Sequence, residues 1–299
     1  MKAVNIGSCN IDYVYAMEHF IQPGETKDCI RMTKGCGGKG LNQSIAIARS
    51  GVEVWHAAYI GPEGDFLKEK MESKGVDTHL VRRGEGANGH AIIQVDANGQ
   101  NSIILYGGTN RQFTHGFVDE VLEQCQPGDV IVLQNEINNI PYIMEQAWER
   151  GLRIAFNAAP YDDSVRQYPL DKVTWLIVNE VEGAGLSDET EPEKILDVLE
   201  KAYPRTGVLL TLGKDGAIYA AGGVRTRVKA CPVKAVDTTA AGDTFIGFFL
   251  RGILDDRSPK ETLKLATVAS AIAVTRPGAA DSVPSYAEVM DSELYRNFR

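Results

Sequence analysis

An α/β fold, with a mainly parallel central sheet carrying helices on both faces and a small antiparallel sheet beside it, is what this sequence predicts. Two observations lead there. Apolar runs of strand length alternate with segments of helical period along most of the 299 residues, and two regions break that alternation with paired short strands that have no helix between them. The chain goes directly into a strand-like Ala3-Val4-Asn5-Ile6, and residues 52–60, 129–134, 152–157, 175–179 and 207–212 read as buried strands. Between them, residues 41–50, 66–74, 141–150 and 193–202 have helical spacing and composition, and 242–254 and 259–274 read as two successive helices. The interrupting strands are 11–17 with 27–34, and 89–96 with 101–107, the second pair joined by the turn residues Ala97-Asn98-Gly99-Gln100. They read either as a small antiparallel sheet projecting from the body or as a sheet extension packed on the core. With no repeat, low-complexity tract or obvious linker, residues 1–299 are taken as one domain, the appended sheet being formed by about 11–34 and 89–107.

Composition narrows the function classes. Hydrophobic residues make up 43% of the chain and no apolar run reaches ~18 residues, so a membrane span is not expected. No signal-peptide pattern precedes the first strand, and a cytoplasmic enzyme is expected. The five cysteines, Cys9, Cys29, Cys36, Cys125 and Cys231, contain no C-x-x-C pair and read as reduced thiols rather than a disulfide framework or a zinc site. With 31 basic against 40 acidic residues the formal charge is −9 and no Lys/Arg cluster offsets it, which argues against a nucleic-acid partner. A nucleotide remains possible, because helix ends, lysines and magnesium can meet its charge locally.

The most informative stretch is Ala235-Val236-Asp237-Thr238-Thr239-Ala240-Ala241-Gly242-Asp243-Thr244-Phe245, where one carboxylate follows a run of small residues at the start of an apolar helix. Ala240-Ala241-Gly242 has no bulk to keep a phosphate from the backbone, and a helix start offers unpaired N–H groups and a positive dipole end. From that place Asp243 can take a proton from an attacking hydroxyl while the amides hold charge on a transferred phosphoryl group. Read without that chemistry, Asp243 is a first-turn helix acid. A second stretch, Gly35-Cys36-Gly37-Gly38-Lys39-Gly40-Leu41-Asn42-Gln43-Ser44, reads as a glycine-rich turn entering a helix, with Asn42 offering donor and acceptor to a polyhydroxylated ligand. It also matches the dinucleotide fingerprint, but Arg31-Met32-Thr33-Lys34 is a poor buried strand and the following strand ends at Tyr59-Ile60 with no acid, so an oxidoreductase is disfavoured. No Walker-type G-x-x-x-x-G-K-[ST] sequence occurs.

These two stretches, about 200 residues apart and in order, resemble the C-terminal and N-terminal signatures of the pfkB, or ribokinase-like, family of carbohydrate kinases. Weaker similarity runs through Gly7-Ser8-Cys9-Asn10-Ile11-Asp12, Asn157-Ala158-Ala159-Pro160, Val178-Asn179-Glu180-Val181-Glu182, Thr211-Leu212-Gly213-Lys214-Asp215-Gly216 and Ala273-Val274-Thr275-Arg276-Pro277-Gly278-Ala279, so the resemblance covers essentially the whole chain.

The resemblance implies an ATP-dependent sugar kinase with Asp243 as catalytic base and the Ala240, Ala241, Gly242 and Asp243 amides as anion hole. D-ribose, giving ribose 5-phosphate, is the first expectation. A fructose, ketodeoxygluconate or nucleoside kinase is the alternative within the family, and a catalytically silent sugar-binding protein the alternative outside catalysis. Sugar contacts fall on Asn10, Asp12, Gly38, Lys39, Asn42 and Glu136; ionised carboxylates suit adjacent hydroxyls. Nucleotide contacts fall on Asn179, Glu182, Thr211, Gly213, Lys214, Gly216, Gly242 and Thr267, with hydrated Mg²⁺ near Asn179 and Glu182. A K⁺ activator site is implied at Asp237, Thr239, Ala273, Arg276, Gly278 and Ser282, against the plainer expectation that Asp237 pairs with Arg276. The small sheet would be a lid over the sugar, pairing with a second subunit's lid in a homodimer. One departure bears on the substrate: ribose-specific members commonly carry Ser-Thr-Gly where this chain reads Ala87-Asn88-Gly89-His90.

Overall fold

The computed structural model describes residues 1–298. In chain order the elements are β1 (Ala3–Ile6), β2 (Asn10–Ala16), β3 (Arg31–Gly37), α1 (Lys39–Arg49), β4 (Val54–Ile60), α2 (Asp65–Ser73), β5 (Val81–Arg83), β6 (His90–Val95), β7 (Asn101–Tyr106), α3 (His115–Glu123), β8 (Val130–Gln134) and α4 (Ile140–Glu149). There follow β9 (Arg153–Asn157), β10 (Trp175–Asn179), α5 (Glu180–Ser187), α6 (Pro192–Ala202), β11 (Gly207–Thr211), β12 (Ala217–Ala221), β13 (Val224–Val228), α7 (Ala241–Leu254), α8 (Pro259–Val274), α9 (Tyr286–Asp291) and α10 (Glu293–Arg296).

Among the described residues nine strands form the main sheet in the order β13-β12-β11-β10-β9-β8-β1-β4-β5, parallel from β11 through β5, with the β12-β13 hairpin antiparallel at one edge. The central strands are apolar throughout because both faces are covered. Along β8, Val130 and Val132 join the core beneath α1, α7 and α8, while Ile131 and Leu133 join the core beneath α3, α4 and α6. From β1 the chain runs outward through β4 to one edge and then returns through β8 toward the other. That reversal opens a crevice beyond the carboxyl ends of the strands beside β1, the place where α/β sheets bind ligands.

A separate four-stranded sheet has the order β3-β2-β6-β7. Its outer pairs are antiparallel, as the alternating sequence implies, but the seam between β2 and β6 is parallel, Ile11 facing His90 and Ala16 facing Val95. Both strands leave the body side by side and run outward together. The glycine-rich stretch also differs from a simple turn: Gly35-Cys36-Gly37 completes β3, Gly37 pairing with Asn10, and the turn is confined to Gly38. No helix among the described residues is long and apolar enough to cross a membrane.

Candidate active site

The floor of the crevice is built where β1, β2 and α1 converge. Gly38 turns the chain with φ +90°, a conformation that favours glycine, and a Cβ on Gly40 would lie 2.3 Å from the Ser8 nitrogen, so only glycine lets α1 start against the end of β1. The Leu41 and Gly40 amides donate to Ser8 O and Ser8 Oγ (2.9 and 3.1 Å). Ser8 Oγ donates in turn to Glu136 Oε2, which also accepts the Lys39 amide at 2.8 Å. Glu136, just past β8, is thereby tied to the start of α1.

Asp12, one pleat into β2, packs its carboxylate against the bare Cα of Gly37. Burial and, after it, the charge of Glu136 push its carboxyl up to about 7. Asn10 is 5% exposed, and its Oδ1 accepts from Asn110 Nδ2 at 2.6 Å.

Asp243 closes the crevice from the other side. Ala240 caps α7 at φ +58°, and Asp243, in the first turn, is 8% exposed. Its Oδ1 accepts from Gln43 Nε2 at 2.9 Å, and Asn42 Nδ2 lies 3.5 Å from Oδ2. Burial raises the Asp243 carboxyl above its ordinary range, opposed by Lys39, Gln43 and Asn42. Burial likewise raises Glu136 and Glu182 against the pull of Lys39. Lys39 itself is pulled down by burial but carried above its usual value by Asp243, Glu136 and Glu182 together. One ammonium thus serves three largely desolvated carboxylates, and it stays charged. Asn42 Oδ1, buried, has no protein partner.

Beyond the N-terminus of α7 lies a cavity of about 540 Å³ lined by Asn179, Thr211, Gly213, Lys214, Gly242 and Thr267 among others. Nothing stands within 4 Å of where a Cβ on Gly213 or Gly242 would project. The Ala241 amide is turned back to Thr238 O (3.2 Å), so the first-turn donors of α7 without a protein partner among the described residues are those of Gly242 and Asp243. Asn179 and Glu182 form a reciprocal cap on α5: Asn179 Oδ1 accepts the Glu182 amide at 2.9 Å, and Glu182 Oε2 accepts the Asn179 amide at 2.8 Å. Their hydrogen-bonding capacity is therefore partly spent on each other, and Glu182, 6% exposed, lies behind the cavity wall. Thr267 Oγ1 is buried without a partner.

The third group of expected residues meets at the loop before α7. Asp237 Oδ1 accepts the Thr239 amide and Oδ2 the Gly278 amide, both at 2.9 Å, joining the two segments. Asp237 does not pair with Arg276, whose guanidinium reaches Glu288 Oε1 at 2.9 Å instead. Ala273 O accepts the Arg276 amide, and Ser282 Oγ donates to Ala279 O.

A profile for "pfkB family carbohydrate kinase" matches residues 1–286. This chain is a member of that family. The kinase is 31% identical over 296 residues to the ribokinase of Haemophilus influenzae, covering 96% of each chain. Among solved structures it resembles a ribokinase of Cryptococcus neoformans var. grubii in complex with ADP, with 31% identity, TM-score 0.86 and coverage of 97% and 99% of the two chains. It also resembles the Arabidopsis thaliana ribokinase complexed with ribose and ATP, with 26% identity, TM-score 0.86 and coverage of 100% and 99%.

The kinase thus brings Asn10, Asp12, Gly38, Lys39, Asn42, Glu136 and Asp243 around one crevice and most of the nucleotide candidates around the adjoining cavity. Sequence reasoning missed Ser8, Gln43, Gln134, Asn157 and Asn110, and the stretch through Ala230, Cys231 and Val233 that lines the cavity. Gln134 and Asn157 did carry a signal: each is a polar residue ending an apolar parallel strand, and the two face each other in register.

Proposed function

We propose that this kinase transfers the γ-phosphoryl group of ATP to the primary hydroxyl of D-ribose, giving ribose 5-phosphate and ADP. The observation that carries the reading is Asp243, held between a buried cluster of hydroxyl-seeking side chains and the cavity that opens at the first turn of α7. Ionised Asp12 and Glu136 accept from sugar hydroxyls, Asn42 Oδ1 accepts another, and Asn10 orients the ring. Asp243 takes the proton of the primary hydroxyl as its oxygen attacks the γ-phosphorus; its carboxyl, raised by burial, is a stronger base than an ordinary aspartate, and Lys39 keeps it ionised. The Gly242 and Asp243 amides hold the phosphoryl oxygens, and ADP leaves along the cavity bounded by Thr211, Gly213, Lys214, Gly216 and Thr267.

Mg²⁺ would supply charge neutralisation of the ATP phosphates; a hydrated ion needs few protein ligands, and Asn179, exposed at the cavity, would meet its water shell while the Glu182 carboxylate bonded behind it adds negative charge. A K⁺ ion suits the loop of Asp237, Thr239, Ala273, Arg276, Gly278 and Ser282. The available donors there are oxygens and Arg276 is turned away to Glu288, so no side-chain cation competes. Bound there, the ion would steady the loop that leads into α7.

The four-stranded sheet acts as a lid over the sugar and as a dimer contact. On β7 the consecutive residues Ile103, Ile104, Leu105 and Tyr106 are 50%, 62%, 52% and 53% exposed, so neither face of that strand is covered within one chain. One face suits a sugar and the other a second copy. A cytoplasmic location goes with ATP as donor and with five unpaired cysteines. The test is a coupled ADP-release assay over ribose, deoxyribose, fructose, ketodeoxygluconate and adenosine. Ribose should give the highest kcat/KM; a clear preference for any other acceptor replaces ribose in this reading.

A further inference from the structure

The side chain behind the catalytic carboxylate is held in one orientation from two directions. Gln43 is fully buried on α1, as are Asn5 on β1 and Gln134 on β8, while Asn157 on β9 is 6% exposed. Asn5 Nδ2 donates to the main-chain oxygen of Gly40 at 2.8 Å, and a carbonyl can only accept, so the Asn5 amide cannot be reversed. Its Oδ1 therefore accepts from Gln134 Nε2 (3.1 Å), and the same nitrogen donates to Gln43 Oε1 at 2.7 Å. The second chain starts at another carbonyl. Asn157 Nδ2 donates to Ile177 O at 3.3 Å, which leaves Asn157 Oδ1 to accept from Gln43 Nε2 at 3.2 Å. Both chains leave Gln43 one arrangement: its oxygen toward Gln134 and its NH₂ toward Asn157 and Asp243 Oδ1, the last at 2.9 Å. Reversal would set donor against donor at Gln134 and acceptor against acceptor at both Asn157 and Asp243, among side chains too buried to turn to solvent instead.

We infer that Gln43 is a positioning residue which, fixed by the Asn5–Gln134 and Asn157 relays, commits Oδ1 of Asp243 to a permanent hydrogen bond and leaves Oδ2 as the oxygen that takes the substrate proton. The inference rests on Asp243 being the base. It adds which of its two oxygens acts and why the carboxylate cannot rotate. The charged groups that face Asp243 are Lys39 on the same helix as Gln43, Glu136 past β8 and Glu182 on α5; none of them supplies a short directional bond to Oδ1. Gln43 also favours the ionised form of the base, so its removal has a definite sign in the pH profile.

The test is kcat at saturating ribose and MgATP from pH 5.5 to 9 for Gln43→Met, which keeps the length of the side chain without a donor. Removing a hydrogen bond to a charged group should lower kcat at pH 7 by roughly tenfold or more and move its acid limb upward by about one pH unit, with KM for ATP changed by less than about threefold. In an Asp243→Asn background the same change should cause no further loss of the residual rate. If Gln43→Met does not yield folded protein, Gln43→Glu, isosteric with the native residue, carries the test: a second carboxyl there must raise the acid limb still more. An unmoved acid limb in a folded variant, or an equal loss in the Asp243→Asn background, overturns the inference. Full turnover by Asp243→Asn would instead overturn the assignment of the base.

Discussion

The two halves of the site are built differently. On the acceptor side the polar groups are buried and spend their hydrogen bonds on one another: Ser8 with Glu136, the Lys39 amide with Glu136, and Gln43 with Asp243. On the nucleotide side Asn179, Gly213, Lys214 and Gly242 are exposed and the wall is largely loop and helix end. The difference reflects what each ligand demands. A small uncharged polyol must find preset donors and acceptors to be told from water, whereas a nucleotide brings its own charge and needs room, a helix terminus and metal. Rate and sugar choice should then depend on the buried half, and the open half should tolerate change.

The largest effect expected from this contrast is at Asp243. Asp243→Asn should lower kcat by at least ~100-fold while nucleotide affinity, measured by calorimetry, stays close to wild type. A folded variant that keeps more than about a tenth of the turnover would show that the proton is taken elsewhere. Next come the sugar contacts. Asp12→Ala or Asn42→Ala should weaken ribose binding by roughly tenfold to a hundredfold while KM for ATP moves little. Equal effects on both substrates would erase the distinction between the two halves.

Most of the main sheet was legible in the sequence because strands buried on both faces must be apolar along their whole length, and the runs ending at Gln134, Asn157 and Asn179 announce themselves that way. Helix α8 was read to the residue, since Ser258 and Glu261 form a capping box with Pro259 between them. Among the elements that escaped, β5 is three residues long and β12 and β13 form an edge hairpin around Gly222 and Gly223, while the short helices α3, α9 and α10 were passed over although Thr114, Ser285 and Ser292 cap them. Helix α5, eight residues with Gly183, Ala184 and Gly185 in its middle, has little apolar pattern to announce it and starts at the reciprocal Asn179–Glu182 cap. The site divides in the same way. Residues inside the two signatures come together around one crevice, but Gln43, although inside the first, was passed over, because its partners Gln134 and Asn157 arrive 91 and 114 positions later. The parallel seam between β2 and β6 was hidden for the same reason, since strand direction is set by where the two chains leave the body.

A pH series sharpens the comparison further. The Asp12 carboxyl, pushed up to about 7 by burial and then by Glu136, passes from mostly charged to mostly neutral as pH falls through that value, and the charged form is the one that accepts most strongly from hydroxyls. Ribose affinity should therefore fall as pH drops through 7, by about tenfold between pH 8 and pH 6, with MgATP affinity changing far less. A flat ribose titration over that range would mean that Asp12 does not face the sugar. Smallest is the expected response to K⁺: adding it to a K⁺- and Na⁺-free assay should raise kcat several-fold with little change in either KM, and Asp237→Ala should lose that response. No response in wild type, or an unchanged response in the variant, removes the cation from the Asp237 loop.

The central claim is that a buried polyol site delivers a sugar hydroxyl to Asp243 for attack on ATP. Its most direct measurement is the stoichiometry of ADP and sugar phosphate formed with ATP and D-ribose, with the phosphate position read by ³¹P and ¹³C NMR. One ribose 5-phosphate for each ADP, and almost no ADP when ribose is omitted, is the result this account requires. ADP released at a similar rate without ribose, or phosphate found on any oxygen other than the primary one, would contradict it.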